Sequence, residues 1–480
     1  MLFRRFYDDA LAQASYLVGC QRTGEAIVVD PNRDVEHYLA AAKAEGARIT
    51  HVTETHVYAD FVSGARELAR RAGARLSLSA EGPPEWKYRF AEAEGARLLR
   101  DGDSIEVGDV RLDIVHTPGH TPEHLSFVVT DTAGATGPMG LLSGDFLFVG
   151  DVGRPDLLER AAGERGTAES LARQMFHSLR RISELPDWLQ LWPGHGAGSA
   201  CGKSLGAVPQ STLGYERRYN WAFGIDDENE FVVAALDGLT QPPRYFARMK
   251  RVNRDGPAPL RDPAALPQLD ASALAAARAD GAVALDTRST GDFAKGHLVG
   301  AIAIPAGASV LKWTGALLDG DQKLVLVATD ATAARRTALQ LAMIGFDQVM
   351  GFASADDARA LAAREGEQRV ERVSPTELAR RMDGDDAYVL DVRAPHEWAA
   401  GHLPGVPNLQ LPEIPEQLET LPRDTPIILQ CQSGTRSIIA ASLLQAAGFE
   451  RVADLEGGYK GWVAAGEPVQ HGATAGSARD

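Results

Sequence analysis

One cysteine near the C-terminus lies in a short loop whose composition suits nucleophilic sulfur chemistry. Cys431 follows the apolar run Pro426–Gln430 and opens the six-residue loop Cys431–Arg436, after which a helical pattern begins. Successive backbone N–H groups of such a loop converge on the cysteine sulfur, and the helix N-terminus and Arg436 add positive potential. This environment stabilises a thiolate or a bound persulfide anion. We therefore predict that Cys431 and Arg436 are catalytic.

The residues inside this loop are expected to contact the substrate. Gly434 permits the tight curvature of the loop, because glycine adopts backbone angles that other residues avoid. The predicted substrate-binding residues of the loop are Gln432, Ser433, Gly434 and Thr435.

A second group of chemically active side chains lies in the first half of the chain. Its segments are Thr55–Phe61, His116–Thr121, Ser143–Asp145 and Pro193–Gly196. Each segment follows a predicted strand, at the loops where folds of this kind place their ligands. Imidazole and carboxylate groups are metal ligands, so this pattern indicates a metal site.

The elements that position these side chains are short strands alternating with helices. Ala26–Asp30, Ala47–Val52 and Arg111–His116 are short runs rich in Val and Ile, which is typical of strands. Val35–Glu45 and Val62–Ala72 are predicted to be helices. The polar residues gather at the ends of the strands, where the candidate metal ligands lie.

The C-terminal half contains an internal repeat. Leu285–Arg288 recurs as Leu390–Arg393, and Gly296–Leu298 recurs as Gly401–Leu403. In each copy an apolar strand leads into a short loop and then a helix, an order that implies a mostly parallel sheet covered by helices. The chain is therefore predicted to be a multidomain α/β protein. The predicted bounds are a first domain at 1–250, a linker at 251–265, and repeats at 266–365 and 370–472.

Composition excludes several classes of function. The 480 residues are 44% apolar, which suits several packed cores, and a net charge of −16 disfavours nucleic acid as a partner. No apolar stretch reaches the ~18–20 residues that a membrane helix needs, so no membrane role is expected. Three cysteines in a chain of this length fit a reducing cytoplasm, which is the expected location.

The segments of the first half together resemble the metallo-β-lactamase superfamily, over about residues 1–225. The resemblance implies an αββα sandwich with a metal site at one sheet edge. The first motif of that family is His-x-His-x-Asp-His, but here Tyr58 replaces the second His and Phe61 the last. Phe61 has no donor atom, so a second metal would lack a ligand. A two-zinc hydrolase is therefore disfavoured, because its bridging hydroxide needs both ions.

The ligands that the resemblance retains are His56, His120 and Asp145. Two imidazoles and one carboxylate, with other positions open, form the facial triad of non-haem Fe(II) oxygenases, which admits O2 and a substrate sulfur together. Within the superfamily this triad is that of the persulfide dioxygenases, which hold a single iron and oxidise a thiol persulfide to sulfite. The resemblance thus implies a mononuclear Fe(II) cofactor. Arg154, in a segment similar to that group, and Tyr58 are expected to contact the substrate.

The cysteine loop resembles the active loop of the rhodanese family, which has the form Cys-x-x-Gly-x-Arg. A loop of this length matches the sulfurtransferases, whereas related phosphatases carry one more residue. In the first repeat Ala328 takes the position of Cys431 and Ala333 that of Arg436. That copy lacks the thiol and is expected to be a non-catalytic spacer or docking domain.

The whole domain order resembles persulfide dioxygenase–rhodanese fusion proteins that have one inactive and one active rhodanese unit. The stretch Trp192–Lys203 belongs to this resemblance, and it implies that Cys201 lies near the dioxygenase pocket and is catalytic. The expected activities are oxidation of a low-molecular-weight thiol persulfide with O2, and transfer of sulfane sulfur with sulfite or thiosulfate, in sulfide detoxification. A homo-oligomer is expected.

Two alternatives remain open from the sequence. One is a thioester hydrolase of the glyoxalase II type, which the residues at 58 and 61 disfavour. The other is a metal-free first domain that serves as a scaffold, leaving sulfurtransferase activity alone. Metal content distinguishes these cases.

Overall fold

The chain forms two compact units in a computed structural model that describes residues 1–162, 166–203, 205–239, 241–384 and 386–472. The first unit comprises residues 1–261 with 341–345, and the second comprises the remainder. Over the described ranges, no helix combines the length and the apolar character needed to cross a membrane.

The first unit contains two six-stranded sheets. The first sheet consists of β1 (Leu2–Asp8), β2 (Gln13–Cys20), β3 (Glu25–Val29), β4 (Arg48–Thr53), β5 (Arg75–Ser79) and β6 (Arg97–Leu99). The second consists of β7 (Ser104–Val107), β8 (Val110–His116), β9 (Leu125–Asp131), β10 (Gly140–Gly144), β11 (Gln190–Pro193) and β12 (Ser211–Thr212). Strands pair in chain order in both sheets. The first sheet is parallel from β3 onward, and the second is antiparallel except between β10 and β11.

Helices accompany the two sheets of this unit. They are α1 (Glu36–Ala44), α2 (Ala65–Ala72), α3 (Leu157–Ala162), α4 (Thr167–Ile182), α5 (Leu213–Tyr219), α6 (Glu228–Leu236) and α7 (Phe246–Asp255). Short 3-10 turns occur at Pro84–Trp86 and Trp221–Phe223.

Strand β2 shows why this unit is layered. All of its residues are buried, and alternate side chains point to opposite faces of a strand. Tyr16 and Val18 join Phe127 in the core between the two sheets, whereas Leu17 joins Leu68 of α2 in the core beneath the helices. A third core lies between the second sheet and the helices α4 and α6. The unit is the αββα sandwich that the sequence predicts.

The chain from residue 262 onward forms two parallel four-stranded sheets. Its strands are β13 (Val283–Asp286), β14 (His297–Leu298), β15 (Ile302–Ala303), β16 (Leu324–Ala328), β17 (Val349–Ser354), β18 (Glu367–Gln368), β19 (Glu371–Val373), β20 (Tyr388–Asp391), β21 (Ile427–Gln430) and β22 (Val452–Leu455). One sheet has the order β15-β13-β16-β17 and the other β19-β22-β21-β20, while β14 and β18 pair separately.

Helices flank these sheets, as the repeat predicts. They are α8 (Ala271–Ala279), α9 (Thr290–Lys295), α10 (Val310–Leu317), α11 (Ala331–Met343), α12 (Ala355–Glu365), α13 (Pro375–Asp383), α14 (Pro395–Ala400), α15 (Ile414–Gln417), α16 (Thr435–Ala446) and α17 (Gly458–Ala464). Further 3-10 turns occur at Pro263–Ala265, Leu411–Glu413 and Leu418–Thr420.

Two predicted elements differ from the structure by more than one residue at an end. The helix predicted at Val62–Ala72 begins only at Ala65. The residues before it are held by other segments, since the Gly64 N–H donates to the Pro31 carbonyl at 2.8 Å. The linker predicted at 251–265 begins inside α7, whose last residue is Asp255. The domain bounds themselves stay a prediction.

The core between the two sheets should dominate the stability of the first unit. Phe127 is fully buried there, so Phe127→Ala should cost about 3–5 kcal/mol, because it leaves a cavity among rigid strands. Urea unfolding followed by circular dichroism would measure the loss. Val233→Ala, at a side chain that is 70% exposed on α6, is the control and should change stability by about 0.5 kcal/mol or less. Equal effects of the two substitutions would contradict this assignment of the core.

Candidate metal centre and cysteine loop

Three buried side chains of the first unit converge on one point at the ends of the strands. His56 follows β4, His120 follows β8, and Asp145 follows β10. The Nε2 atoms of His56 and His120 lie 3.9 and 3.6 Å from Oδ2 of Asp145. All three ligand atoms lie within 4.8 Å of one another. The structure therefore brings together the three residues predicted as metal ligands.

The hydrogen bonds around these residues leave the converging atoms available to a cation. Nδ1 of His120 donates to the Arg154 carbonyl at 3.1 Å, and Nδ1 of His56 lies 2.9 Å from the Thr55 hydroxyl, so both Nε2 atoms face inward. Oδ2 of Asp145 is buried and has no hydrogen-bond partner among the described residues. A buried carboxylate oxygen in that position is costly, and a bound cation would remove the cost. The donor set thus fits a divalent metal.

Electrostatics favour the same conclusion. Burial lowers the pKa of His56 to about 3 and also lowers the pKa of His120, so both imidazoles are neutral and can donate a lone pair. Burial alone would raise the pKa of Asp145, but the neighbouring His195 holds it below its ordinary range. The centre therefore consists of two neutral imidazoles and one carboxylate.

His195 and Asp60 form a buried ion pair beside the candidate metal ligands. His195 lies between two carboxylates, with Nδ1 at 2.7 Å from Oδ1 of Asp145 and Nε2 at 2.8 Å from Oδ2 of Asp60. Burial opposes protonation, but these carboxylates raise the pKa of His195 well above its ordinary value. The surroundings of His195 therefore favour the protonated imidazolium, in which both ring nitrogens are donors.

Tyr58 and Phe61 pack against each other next to His56. The Tyr58 hydroxyl lies 3.3 Å from the Thr55 hydroxyl, and its ring packs 4.2 Å from the Phe61 ring. Both side chains are buried. Tyr58, predicted to bind substrate, thus packs against His56, and its hydroxyl lies near the Thr55 hydroxyl.

Cys201 is the third member of a buried group with Asp60 and His195, whose ligand atoms lie within 4.8 Å of one another. Burial, together with the carboxylates of Asp60 and Asp145, raises the pKa of Cys201. The thiol is therefore protonated. Cys201 thus lies beside Asp60 and His195, in surroundings that disfavour a thiolate, and its catalytic role stays a prediction.

Arg154 is buried and takes part in a bidentate ion pair. Its Nε and Nη2 donate to the two oxygens of Asp156, both at 2.7 Å, and its backbone N–H donates to the Cys201 carbonyl at 2.9 Å. Through its own carbonyl it also orients His120. Arg154, predicted to bind substrate, thus supports the loop that carries His120.

Sequence reasoning missed two carboxyl groups that hold the loop carrying His56. This loop, residues 54–63 after β4, is called the first ligand loop. Oδ1 of Asp30 accepts from the Thr55 backbone N–H at 2.7 Å, and Oε1 of Glu123 accepts from the Val57 N–H at 2.8 Å. Burial raises the pKa of each carboxyl group to about 7. Asp30 ends a predicted strand, and that position was the available signal.

The cysteine loop in the second unit has a different environment. Cys431 is buried, and its sulfur accepts from the Gly434 backbone N–H at 3.2 Å and lies 3.4 Å from the Ser437 hydroxyl. Gly434 has φ +99°, which other residues rarely adopt. Thr435 is the first residue of α16. The described polar contacts of the sulfur are therefore one backbone N–H and one hydroxyl, and the catalytic role of Cys431 stays a prediction.

The two flanking polar residues of the loop are held by the domain. Arg436 donates to both oxygens of Glu397, at 2.6 and 2.9 Å, so its charge is compensated in this structure. Oε1 of Gln432 accepts from Arg393 at 3.3 Å. Ser433 is exposed and lies at the mouth of the loop.

A buried carboxyl group lies behind the loop. Asp454 on β22 is fully buried, and within the described ranges neither of its oxygens has a hydrogen-bond partner. Nη2 of Arg372 lies 3.4 Å from Oδ2. Burial raises the pKa of Asp454 to about 7. No feature of the sequence indicated this residue.

Comparisons with known proteins identify the families of the two units. Residues 8–195 match the metallo-beta-lactamase superfamily. The crystal structure of a metallo-beta-lactamase from Staphylococcus aureus is 41% identical, with a TM-score of 0.66, and covers 74% of this chain and 99% of that one. The chain belongs to the metallo-beta-lactamase superfamily. Residues 270–353 and 374–465 each match a rhodanese-like domain, so the metallo-beta-lactamase domain is followed by two rhodanese-like domains.

Two curated relatives of the metallo-beta-lactamase domain have different chemistries. The mitochondrial persulfide dioxygenase of Bos taurus is 28% identical over 50% of this chain and 83% of its own length. The hydroxyacylglutathione hydrolase of Rhodospirillum rubrum is 31% identical over 38% of this chain and 60% of its own length. The predicted fold and the order of domains are confirmed. The individual site residues stay predictions.

The burial of Asp454 generates a test by pH. Its folded-state pKa of about 7 lies above the ordinary value of about 3.9, so its contribution to stability is complete at low pH and is lost as the pH rises toward 7. Asp454→Asn should therefore raise the melting temperature of the second unit at pH 8 and change it little at pH 4.

Calorimetry from pH 4 to pH 8 would measure this difference. Asp356→Asn, at a side chain that is 88% exposed on α12, is the control and should show no such trend. A lower melting temperature of Asp454→Asn at pH 8 would mean that the ion pair with Arg372 stabilises the charged form instead.

Proposed function

We propose that the chain is a bifunctional sulfur enzyme. Its metallo-beta-lactamase domain would oxidise a low-molecular-weight thiol persulfide to sulfite, and its second rhodanese-like domain would transfer sulfane sulfur through Cys431. The observation that carries the proposal is the division of roles around Asp145. One oxygen joins His56 and His120 in an open donor set, while the other is paired with His195.

The donor set supports a single Fe(II). Two neutral imidazoles and one carboxylate are the ligands of mononuclear non-haem iron oxygenases. When bound by His56, His120 and Asp145, the iron would supply O2 activation next to the substrate sulfur. The similarity to the bovine persulfide dioxygenase supports this choice of chemistry.

The residues around the centre would orient the ligands and exclude water. His195 holds the Asp145 carboxylate in one orientation at 2.7 Å, and Arg154 holds the His120 ring through its carbonyl. We retain Cys201 as a catalytic candidate in its protonated form, since it lies beside Asp60 and His195. A neutral thiol there would not compete with the anionic persulfide for the metal.

The rhodanese-like site would work by sulfur transfer to a cysteine. The Cys431 thiolate would attack the outer sulfur of thiosulfate, so that the S–S bond breaks and sulfite leaves with the electron pair. The product is a Cys431 persulfide, from which an acceptor thiolate takes the terminal sulfur and regenerates the Cys431 thiolate. The Gly434 N–H donates to the sulfur and would stabilise both anionic forms.

Sulfite links the two proposed activities. Sulfite is the product of the first site and the sulfur acceptor of the reverse reaction at Cys431. We therefore place the protein in sulfide detoxification, with a thiol persulfide, O2, sulfite and thiosulfate as its small-molecule partners. The first rhodanese-like domain has Ala328 and Ala333 at the positions of Cys431 and Arg436, and no transfer is proposed there.

A second candidate is hydrolysis of a glutathione thioester. The similarity to the hydroxyacylglutathione hydrolase and the presence of Asp60 and His195 favour it. Hydrolysis of this type requires a second metal ion. To bind at His195, that ion would have to displace a proton from the imidazole and separate Asp60 from His195. Two metal ions per chain together with thioester turnover would establish this alternative.

The dioxygenase proposal predicts O2 consumption that depends on the candidate ligands. Iron-reconstituted protein given glutathione persulfide should consume O2 and release sulfite, because the substrate and O2 meet at one centre. His120→Ala should abolish the uptake, because it removes one of the three ligands. An oxygen electrode and a sulfite assay measure both. Iron bound at full stoichiometry without uptake, with glutathione and coenzyme A persulfides alike, would refute the proposal.

The sulfurtransferase proposal predicts that Cys431 alone carries the transferred sulfur. Cys431→Ala should reduce thiosulfate-to-thiol transfer to the uncatalysed rate, because the variant loses the thiol to which the Gly434 N–H donates. Cys20→Ala, at a buried cysteine of the first unit, is the matched control and should retain full transfer. Transfer that survives in Cys431→Ala would show that the assignment is wrong.

A further inference from the structure

One helix beyond the segment that matches the superfamily contacts the first ligand loop. Helix α7 follows residues 8–195, and Asn253 on its inner face is 2% exposed. The Asn253 side-chain amide donates to the carbonyls of Tyr58 and Phe61, at 2.8 and 2.7 Å. Its carbonyl oxygen accepts from the Ser63 backbone N–H at 2.9 Å. One amide therefore holds three backbone groups of residues 58–63.

These three bonds lie on the segment that directly follows the first metal ligand. The segment begins two residues after His56 and carries Asp60. Asp60 lies 2.8 Å from His195, and His195 lies 2.7 Å from Asp145. Asn253 thus holds the segment that follows His56 and carries Asp60, the residue that contacts His195.

We propose that Asn253 is a positioning residue of the metal centre and that α7 is an integral part of the metallo-beta-lactamase domain. The inference rests on metal binding in the proposed function, but not on the reaction. Asn253 touches neither the substrate nor the metal. It fixes the loop that presents His56 and Asp60, and so fixes the separation of the three donor atoms.

The chemistry of an amide explains why this position is an asparagine. Two of the three backbone partners are carbonyls, which need a donor, and the third is an N–H, which needs an acceptor. Asparagine supplies both kinds of group at one side-chain end, whereas aspartate supplies acceptors only. The substitution Asn253→Asp would place a carboxylate oxygen against two carbonyl oxygens in a buried site, and the loop would have to move.

Other anchors limit the damage that such a change would cause. Val57 stays bonded to Glu123, Thr55 stays bonded to Asp30, and the Ser63 hydroxyl donates to Glu54. Helix α7 is also held by Lys250, whose ammonium lies 3.8 Å from the centre of the Trp86 ring. A substitution at 253 should therefore shift the loop locally and leave the fold intact.

The test measures metal affinity and spectrum rather than turnover. Asn253→Asp and Asn253→Ala are titrated with Fe(II) against a competing chelator, and the iron-loaded proteins treated with nitric oxide are compared by electron paramagnetic resonance. Loss of a residue that supports a metal ligand commonly lowers affinity about 10–100-fold, and we expect that range with an altered spectrum. Circular dichroism and thiosulfate transfer through Cys431 should be unchanged.

The matched control is an asparagine with the same kind of contact in the second unit. The Asn408 side-chain amide donates to the carbonyls of Asp391 and Arg393, both at 2.9 Å. Asn408→Asp makes the same chemical change away from the metal centre, and the Fe(II) affinity should equal that of the wild type.

The outcomes separate this inference from the proposed function. Wild-type affinity and spectrum in both Asn253 variants would overturn the inference. So would an equal loss of Fe(II) affinity in Asn408→Asp, since the effect would then be general. If Asn253→Asp does not fold, Asn253→Ala decides, because it removes the amide without adding charge. Wild-type protein that binds Fe(II) but consumes no O2 with persulfide would instead refute the dioxygenase activity and leave the role of Asn253 standing.

Discussion

The hydrogen-bonded ion pair between Asp145 and His195 is the interaction on which the metal centre depends. It joins the end of β10 to the end of β11, and these neighbouring strands are parallel, so both side chains emerge at one sheet edge. Because His195 occupies Oδ1 of Asp145, only Oδ2 is directed toward His56 and His120. Burial opposes protonation of His195, but its two carboxylate partners, Asp145 and Asp60, raise the pKa of the imidazole well above its ordinary value. A single interaction thus sets which carboxylate oxygen of Asp145 faces the candidate ligands His56 and His120.

The sequence could predict the features that depend on neighbouring residues and on strand ends. The layered fold follows from alternating apolar runs, and His56, His120 and Asp145 could be located because each follows such a run. The ion pair between Arg436 and Glu397 could not be predicted, since it joins the start of α16 to α14 through a tertiary contact between residues 39 positions apart. The observed start of α2, at Ala65 instead of Val62, also depends on a tertiary contact, the hydrogen bond from Gly64 to Pro31.

The position of Asn253 illustrates this limit most clearly. A polar residue in the basic helix α7 is typical of a solvent-exposed face, and its neighbours led to the prediction of a linker. Only the packing of α7 on the ligand loop makes Asn253 a buried donor to two carbonyls. Burial of that kind is set by long-range contacts, which a single sequence does not reveal.

Cys201 and Cys431 lie in surroundings of opposite electrostatic character, because their neighbouring groups differ. Cys201 lies beside Asp60 and His195 at the metal centre, where burial and carboxylates favour a neutral thiol. The sulfur of Cys431 instead accepts a backbone N–H at the start of a helix, and such donors stabilise an anionic sulfur. A persulfide anion would be opposed by the carboxylates at Cys201 but is well accommodated at Cys431. Under the proposed function, transient storage of sulfane sulfur would therefore occur at Cys431 in the second unit and not at Cys201 beside the candidate metal ligands.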